Sequence, residues 1–253
     1  MVLRILSLLS ITFALAYAQS PEAVAIAARN ARDASEAFDR SRRVMYAWLD
    51  RLDPVTGLLP RRGDDPNWVV KDSAADLYPF LVLAAYFTHR PLYDGVMQYI
   101  LRRELLLTTR IGLLADDLRP GGEGFVFDKP ELDRLIFGSS EYAKDGLLPI
   151  TELLGETPWY YRLRGIAAEI LRRAPCQSRR GLLPARSAEV NGNMLQVLSR
   201  LAWKTSDDEY LGAATAIAAA YLMDILPATG YIPPDEWNVE IERPARPLFH
   251  LSD

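Results

Sequence analysis

Apolar residues along this chain recur at threes and fours, the spacing of helices that each bury one face. A first helix is expected from Pro21 to about Leu52, with Ala37, Phe38, Val44, Met45, Trp48 and Leu49 as its later buried face. Asp53 to Gly57 reads as a turn, opened by aspartate and proline and closed by glycine. Gly63 to Asn67 reads as loop and Trp68 to Val70 as a short extended piece. Asp72 or Ser73 can cap a helix that runs to Thr88 with Pro79 as a kink. Beyond the break at Arg90-Pro91, a helix is expected from Leu92 to about Thr108, then a glycine-rich loop to Phe127. Short helical pieces follow at Pro130–Phe137, Ser139–Lys144 and Thr151–Leu154. Pro158 opens the next helix, at a position where its missing N–H costs nothing, and that helix runs to about Ala174. Gly192–Thr205 and a helix capped by Asp207 or Asp208 and running to Leu226 complete the set, and Pro227 to Asp253 reads as proline-rich loop. Alternating β-branched runs are nearly absent. The fold class is therefore all-α, with stacked helical hairpins and long loops of the kind that often hold a site.

One phrase keeps returning. Gly57-Leu58-Leu59-Pro60 reappears at Gly146-Leu147-Leu148-Pro149 and at Gly181-Leu182-Leu183-Pro184, with a degenerate copy at Gly112-Leu113-Leu114-Ala115. The offsets are 55, 34 and 35 residues, the last two in the range of a repeated supersecondary unit. Glycine suits a helix stop or turn because it takes positive φ freely, and proline disfavours helix at the residue before it. Three such matches in a leucine-rich chain would also arise as independent helix stops.

Composition narrows the setting. Residues 1–18 carry one cation, Arg4, an apolar run from Ile5 to Leu15 and the small-x-small sequence Ala16-Tyr17-Ala18, the pattern of a secretory signal peptide. The expected mature chain, 19–253, is one helical domain, and no later segment reads as transmembrane. Its location is expected to be secreted or periplasmic. The net charge of −4, or −5 without Arg4, with no basic run, argues against nucleic acid as partner. A single cysteine, Cys176, leaves no internal disulfide, and two histidines, His89 and His250, are too few for a histidine zinc triad. The acidic loop Asp116-Asp117 with Gly121 to Gly124 matches no calcium motif, so neither metal nor cofactor is expected. His89 is placed to meet the last carbonyls of its helix. The ending Leu248 to Asp253 reads as the entry to another element, so C-terminal helices are expected to be missing.

Helical hairpins with Gly-Leu-Leu-Pro loops, and the aromatic-rich helix start Asp72-Ser73-Ala74-Ala75-Asp76-Leu77-Tyr78-Pro79-Phe80, resemble the (α/α) toroids of the six-hairpin glycosidase superfamily. The likeness covers residues 40–225. It implies about twelve helices for a complete toroid, so seven or eight make a partial one. It also implies action on polysaccharides, as hydrolase or lyase, with acids and aromatics at one end. No catalytic motif carries over residue by residue.

The residues themselves offer two acidic groups. Asp72 and Asp76 stand at i and i+4 on one helix face, where mutual repulsion would raise a carboxyl pKa and suit a general acid. Glu141 and Glu189, near the second and third full phrases, supply further carboxylates. Trp68, Tyr78, Trp159, Tyr160, Asn193 and Trp237 are the expected substrate contacts on a poly- or oligosaccharide. The plainer alternative makes Asp72 a helix cap, Asp76 a solvated acid and the aromatics core. The leading function is extracytoplasmic glycosidic bond cleavage. Beside it stand a non-enzymatic envelope binding or scaffold protein and an inactive N-terminal part of a longer toroid protein.

Overall fold

The computed structural model describes residues 20–233. The chain divides into two compact units, Met1–Val44 and Met45–Asp253. The described part of the first unit is helical, the opening stretch of α1 (Pro21–Leu49). Its side chains are nearly all open to solvent and laced by Glu36–Arg40 and Asp39–Arg42 pairs at 2.5 and 2.9 Å. Phe38 and Val44 are exposed, and the expected buried face begins only at Met45, fully buried in the second unit, with Trp48 and Leu49 half-buried.

The second unit stacks antiparallel helices. α2 starts as a π-helical segment, Val70–Leu77, and continues as Tyr78–Thr88; α3 runs through Arg90–Leu92, Tyr93–Met97 and Gln98–Thr108. α4 joins Leu132–Glu141, the π segment Tyr142–Leu147 and Leu148–Leu154; α5 is Pro158–Arg173 and α6 is Ala188–Thr205. α7 combines Asp208–Ala220, Tyr221–Ile225 and Leu226–Thr229. Long connections (50–69, 109–131 and 174–187) alternate with short ones at 89, 155–157 and 206–207. Each short connection closes a hairpin, so α2, α4 and α6 start at the same end and pack side by side, parallel, with α3, α5 and α7 against them. The all-α class holds, with an addition. Two-stranded antiparallel hairpins sit in the second and third long connections: β1 (Thr109–Ile111) with β2 (Leu114–Ala115), and β3 (Cys176–Ser178) with β4 (Gly181–Leu183). They are too short to leave an alternating sequence pattern.

Helix boundaries moved in ways with physical causes. The three pieces expected between 130 and 154 are one helix, α4, interrupted by no turn. Pro79, Pro149 and Pro227 each lie two residues beyond a π segment, at Leu77, Leu147 and Ile225. A proline lacks the N–H for its helical bond and crowds the carbonyl four residues back, and a wider turn ahead of it relieves both. The expected loop after Leu226 is therefore helix as far as Thr229. α6 begins at Ala188, where Ser187 caps the Val190 N–H at 3.4 Å, and Asp207 caps α7 through the Glu209 N–H at 2.9 Å. Asp72 does not cap α2; Ser73 Oγ accepts the N–H of Val69, the residue at the N-cap, at 3.0 Å, and the Val70 N–H donates to Asp117 Oδ1 at 2.9 Å.

The repeated phrase resolves into three equivalent members and one impostor. Gly57, Gly112 and Gly181 all lie in long connections with positive φ, each followed by leucines of which Leu58, Leu59, Leu114 and Leu183 are buried. The degenerate copy is a true member. The full copy at Gly146 is not a helix stop; it lies inside α4, where the backbone of α2 comes close. A Cβ there would stand 2.7 Å from the Ala74 carbonyl oxygen and 2.7 Å from the Tyr142 ring.

One buried ion pair ties α3 to α5. Arg162 Nε donates to Glu104 Oε2 at 3.0 Å, a second guanidinium nitrogen meets the other carboxylate oxygen, and Nη1 donates to the Leu113 carbonyl of the β1–β2 turn at 2.7 Å. Thr108 Oγ1 adds a donor to Glu104 at 3.1 Å. The geometry satisfies both charges, so breaking it by Arg162→Met strands a buried carboxylate at a cost of about 3–5 kcal/mol.

Two glycine substitutions should act in opposite directions. Gly146→Ala gains helix propensity but overpacks the α2–α4 contact, and thermal or urea unfolding should show a net loss of about 1–3 kcal/mol. Gly192→Ala in α6, where a Cβ meets nothing within 4 Å, should stabilise by roughly 0.5–1 kcal/mol. Equal effects at the two sites would refute the close-packing role of Gly146.

Candidate functional site

The parallel row of α2, α4 and α6 carries acids on its open face, and the π segments set where they fall. Asp72 and Asp76 belong to the π segment of α2, Asp145 to that of α4, and Glu141 directly precedes the latter. Such widened turns often accompany functional sites because they re-aim side chains. Close approach at Gly146 brings the two segments together. Asp76 then feels Asp72 and Asp145, and Glu141 feels Lys144, Asp145 and Glu189. Four sequence-predicted acids from three helices thus form one electrostatic chain.

Glu141 is its best-built member. Half-buried, it accepts a hydrogen bond from Asn193 Nδ2 of α6, which also donates to Ser140 Oγ at 3.2 Å. Burial pushes the Glu141 carboxyl above its ordinary range; Asn193 and Lys144 pull it down, and Asp145 and Glu189 push it up again. Asp76, exposed, is raised by partial desolvation and by Asp72 and Asp145. Lys144 pairs with Asp145 at 3.0 Å, and although burial opposes its charge, Asp145, Glu141 and Glu189 hold it raised. Asp72 pairs with Arg61 Nε at 2.7 Å. The arrangement sets a carboxyl raised by burial, Glu141, beside the further carboxyls of Asp145 and Glu189.

A groove at the long-connection end touches this wall at Glu189. Its larger part, about 570 Å³, lies between the start of α4, the β3–β4 hairpin and the start of α6, and includes Arg134, Phe137, Cys176, Arg186 and Glu189. A smaller cleft of about 250 Å³ shares Arg134 and Phe137 and adds Lys71, Asp116, Asp117 and Phe127. Asp116 is buried and gripped by Arg110 (2.7 Å) and Arg134, which outweigh burial and hold its carboxyl below the usual range. Asp117 goes the other way: burial raises its carboxyl despite the Val70 N–H, with Asp116 and Asp72 adding to the rise. Sequence reading weighed Asp117 only as part of an acidic loop and passed over Arg134, Lys71 and Arg186, because their meeting depends on how the 109–131 and 174–187 connections fold back at the starts of the helices. Only the double aspartate marked the place.

The expected aromatic contacts are elsewhere. Trp68, Tyr78, Trp159 and Tyr160 are all buried, and the Trp68 indole N–H donates to the Tyr78 hydroxyl at 2.8 Å. Tyr78 packs edge-on against Tyr142 and Trp159 at 6.0 and 5.7 Å between ring centres. They are core, as apolar rings on the inward side of a helix stack must be, and they offer no face to a sugar. Trp237 and His250, like the leader 1–18, lie outside the described residues. The His89 ring does not meet carbonyls; its Nδ1 bonds the Tyr46 hydroxyl at 2.8 Å. Among the described residues no group of three or more His, Cys, Asp or Glu is arranged to hold a metal ion. α7 is long and apolar enough to cross a membrane by length and composition, yet Tyr210, Ala214, Ile217 and Ala220 are buried, and it packs on α6.

No known protein family, curated protein or solved structure matches this chain.

The titration of Glu141 gives a direct test. By carboxyl-carbon NMR its midpoint should lie above that of an ordinary glutamate, rise further in Asn193→Ala and fall in Asp145→Asn. A raised carboxyl contributes stability that is complete below its unfolded pKa and lost as pH climbs through the folded one. Glu141→Gln should therefore flatten the stability loss in that window, and an unchanged pH–stability curve would contradict the assignment.

Proposed function

We propose that this chain is an extracytoplasmic carbohydrate-active protein that cleaves glycosidic bonds, and that its seven described helices form part of an (α/α) toroid. The observation that carries the reading is Glu141: a half-buried carboxyl with a raised pKa, oriented by Asn193 of α6 and acted on by Asp145 of its own helix and Glu189 of α6. Glycoside hydrolysis uses one protonated acid and one ionised carboxylate on either side of the scissile bond. On this reading Glu141 donates the proton to the leaving oxygen, and Asp76 of the adjacent helix, which Asp145 influences as it does Glu141, is the second carboxyl. Asp72, neutralised by Arg61, and Glu189 set the field in which the two titrate. Parallel helices with their starts at one end, and long connections gathered there, are what the toroid resemblance implies.

A second observation favours a longer body. Away from the acids, towards the short connections, α2, α4 and α6 expose Phe80, Phe87, Leu153 and Trp203, the last at 80%. These are apolar contacts that further helices of a toroid would cover. On this reading the chain supplies one side of the cleft, and the catalytic work belongs to the assembled whole.

A turnover screen on a panel of α- and β-linked glycans, read by chromatography of released sugars, tests the primary reading. Glu141→Gln should lower kcat by roughly 10²–10⁴-fold, the scale of general acid catalysis, without lowering the melting temperature. Turnover that survives both Glu141→Gln and Asp76→Asn would remove the wall from the mechanism. A wild-type chain that cleaves no glycan and binds an exposed-surface dye strongly would favour the longer-body reading.

A further inference from the structure

The smaller cleft has a charge imbalance that the acid wall does not explain. It is floored by Val70, Ala115 and Gly138, sided by Phe127 and Phe137, and has room for a single sugar ring. Each ring carries a cation. The Arg134 guanidinium stands 3.8 Å from the centre of Phe127, and the Lys71 ammonium 5.5 Å from the centre of Phe137. Arg134 shares Asp116 with Arg110, so two guanidinium groups meet one carboxylate and leave one positive charge over. Lys71, exposed at the cleft, makes no ion pair among the described residues and adds a second. Three cations, Lys71, Arg110 and Arg134, thus stand against two carboxylates, Asp116 and Asp117, so one positive charge is left over even with both acids ionised, and burial raises the Asp117 carboxyl.

We infer that the cleft between Phe127 and Phe137 is a subsite for a sugar bearing a carboxylate, with Lys71 and Arg134 as its counter-charges. This rests on the carbohydrate reading above and narrows it to acidic glycans. The rings supply apolar faces for a pyranose, and the two cations fix which edge of it carries the charge. A neutral sugar could use the same rings but would leave the excess positive charge without a partner. Asp72, the nearest acid of the wall, is held by Arg61, so it offers a bound carboxylate little repulsion. The carboxylate end of the substrate is thereby held between Lys71 and Arg134.

Isothermal titration of the full chain with glucuronate and, separately, with glucose tests the assignment at neutral pH. Glucuronate should bind roughly ten-fold tighter or more, the scale of one charge-assisted hydrogen bond, and Lys71→Glu should erase that preference with the melting temperature unchanged. Equal affinity for the two sugars would overturn the acidic subsite while leaving a carbohydrate site in place. Glucuronate that fails to bind, or that binds Lys71→Glu as well as wild type, also overturns it. Glycan turnover, measured independently, reports on the cleavage reading whichever way the titration falls.

Discussion

How near two helices can come decides most of this structure. At Gly146 the backbone of α4 meets the backbone of α2 with no side chain between them. That contact lies among the packed rings of Tyr78, Tyr142 and Trp159 and puts two widened turns face to face. Because those turns carry Asp76 and Asp145, the same contact fixes the spacing of the acids. Backbone proximity and carboxyl titration are two aspects of one packing decision.

Charge is handled differently at the two depths of the molecule. Beneath the β1–β2 turn, Glu104 and Arg162 are fully buried, with each polar edge given a partner, and nothing is left over for chemistry. Asp116 is likewise committed, held by two arginines that anchor the 109–131 connection. Along the open face, by contrast, acids outnumber cations and are only partly desolvated. Fully buried charges hold the scaffold, while those on the open face stay in reach of solvent, with Asp72 paired to Arg61 and Asp145 to Lys144. Burial alone does not mark a site here; the balance between burial and partners does.

Much of this was legible in the residues. Apolar spacing located the helices, and the carboxylates Asp72, Asp76, Glu141 and Glu189, with Asn193, are linked because α2, α4 and α6 start at a common end. The misreadings share a cause. Gly-Leu-Leu-Pro has the same local meaning wherever it occurs, yet at residue 146 tertiary packing uses glycine for its small size, not its freedom of φ. Aromatics beside acids, such as Trp68 and Tyr78, suggested a sugar platform, but which side of a helix a ring occupies depends on neighbours far along the chain. The meeting of Lys71, Arg134 and Asp117 at one cleft was out of reach for the same reason: it is made by a connection folding over two helices, and no local spacing encodes it.

The π segments have one more consequence. Each admits a residue beyond the ordinary count, and in a regular helix one residue turns the following side chains by about 100° about the axis. The stretches of α2, α4 and α7 on either side of their π segments are therefore clocked independently. In α2 and α4 the acidic part of the open face and the apolar part below it need not share a periodicity. Pro79, which reads as a kink in the sequence, acts here with Pro149 and Pro227 as a phase marker, each two residues beyond a π segment.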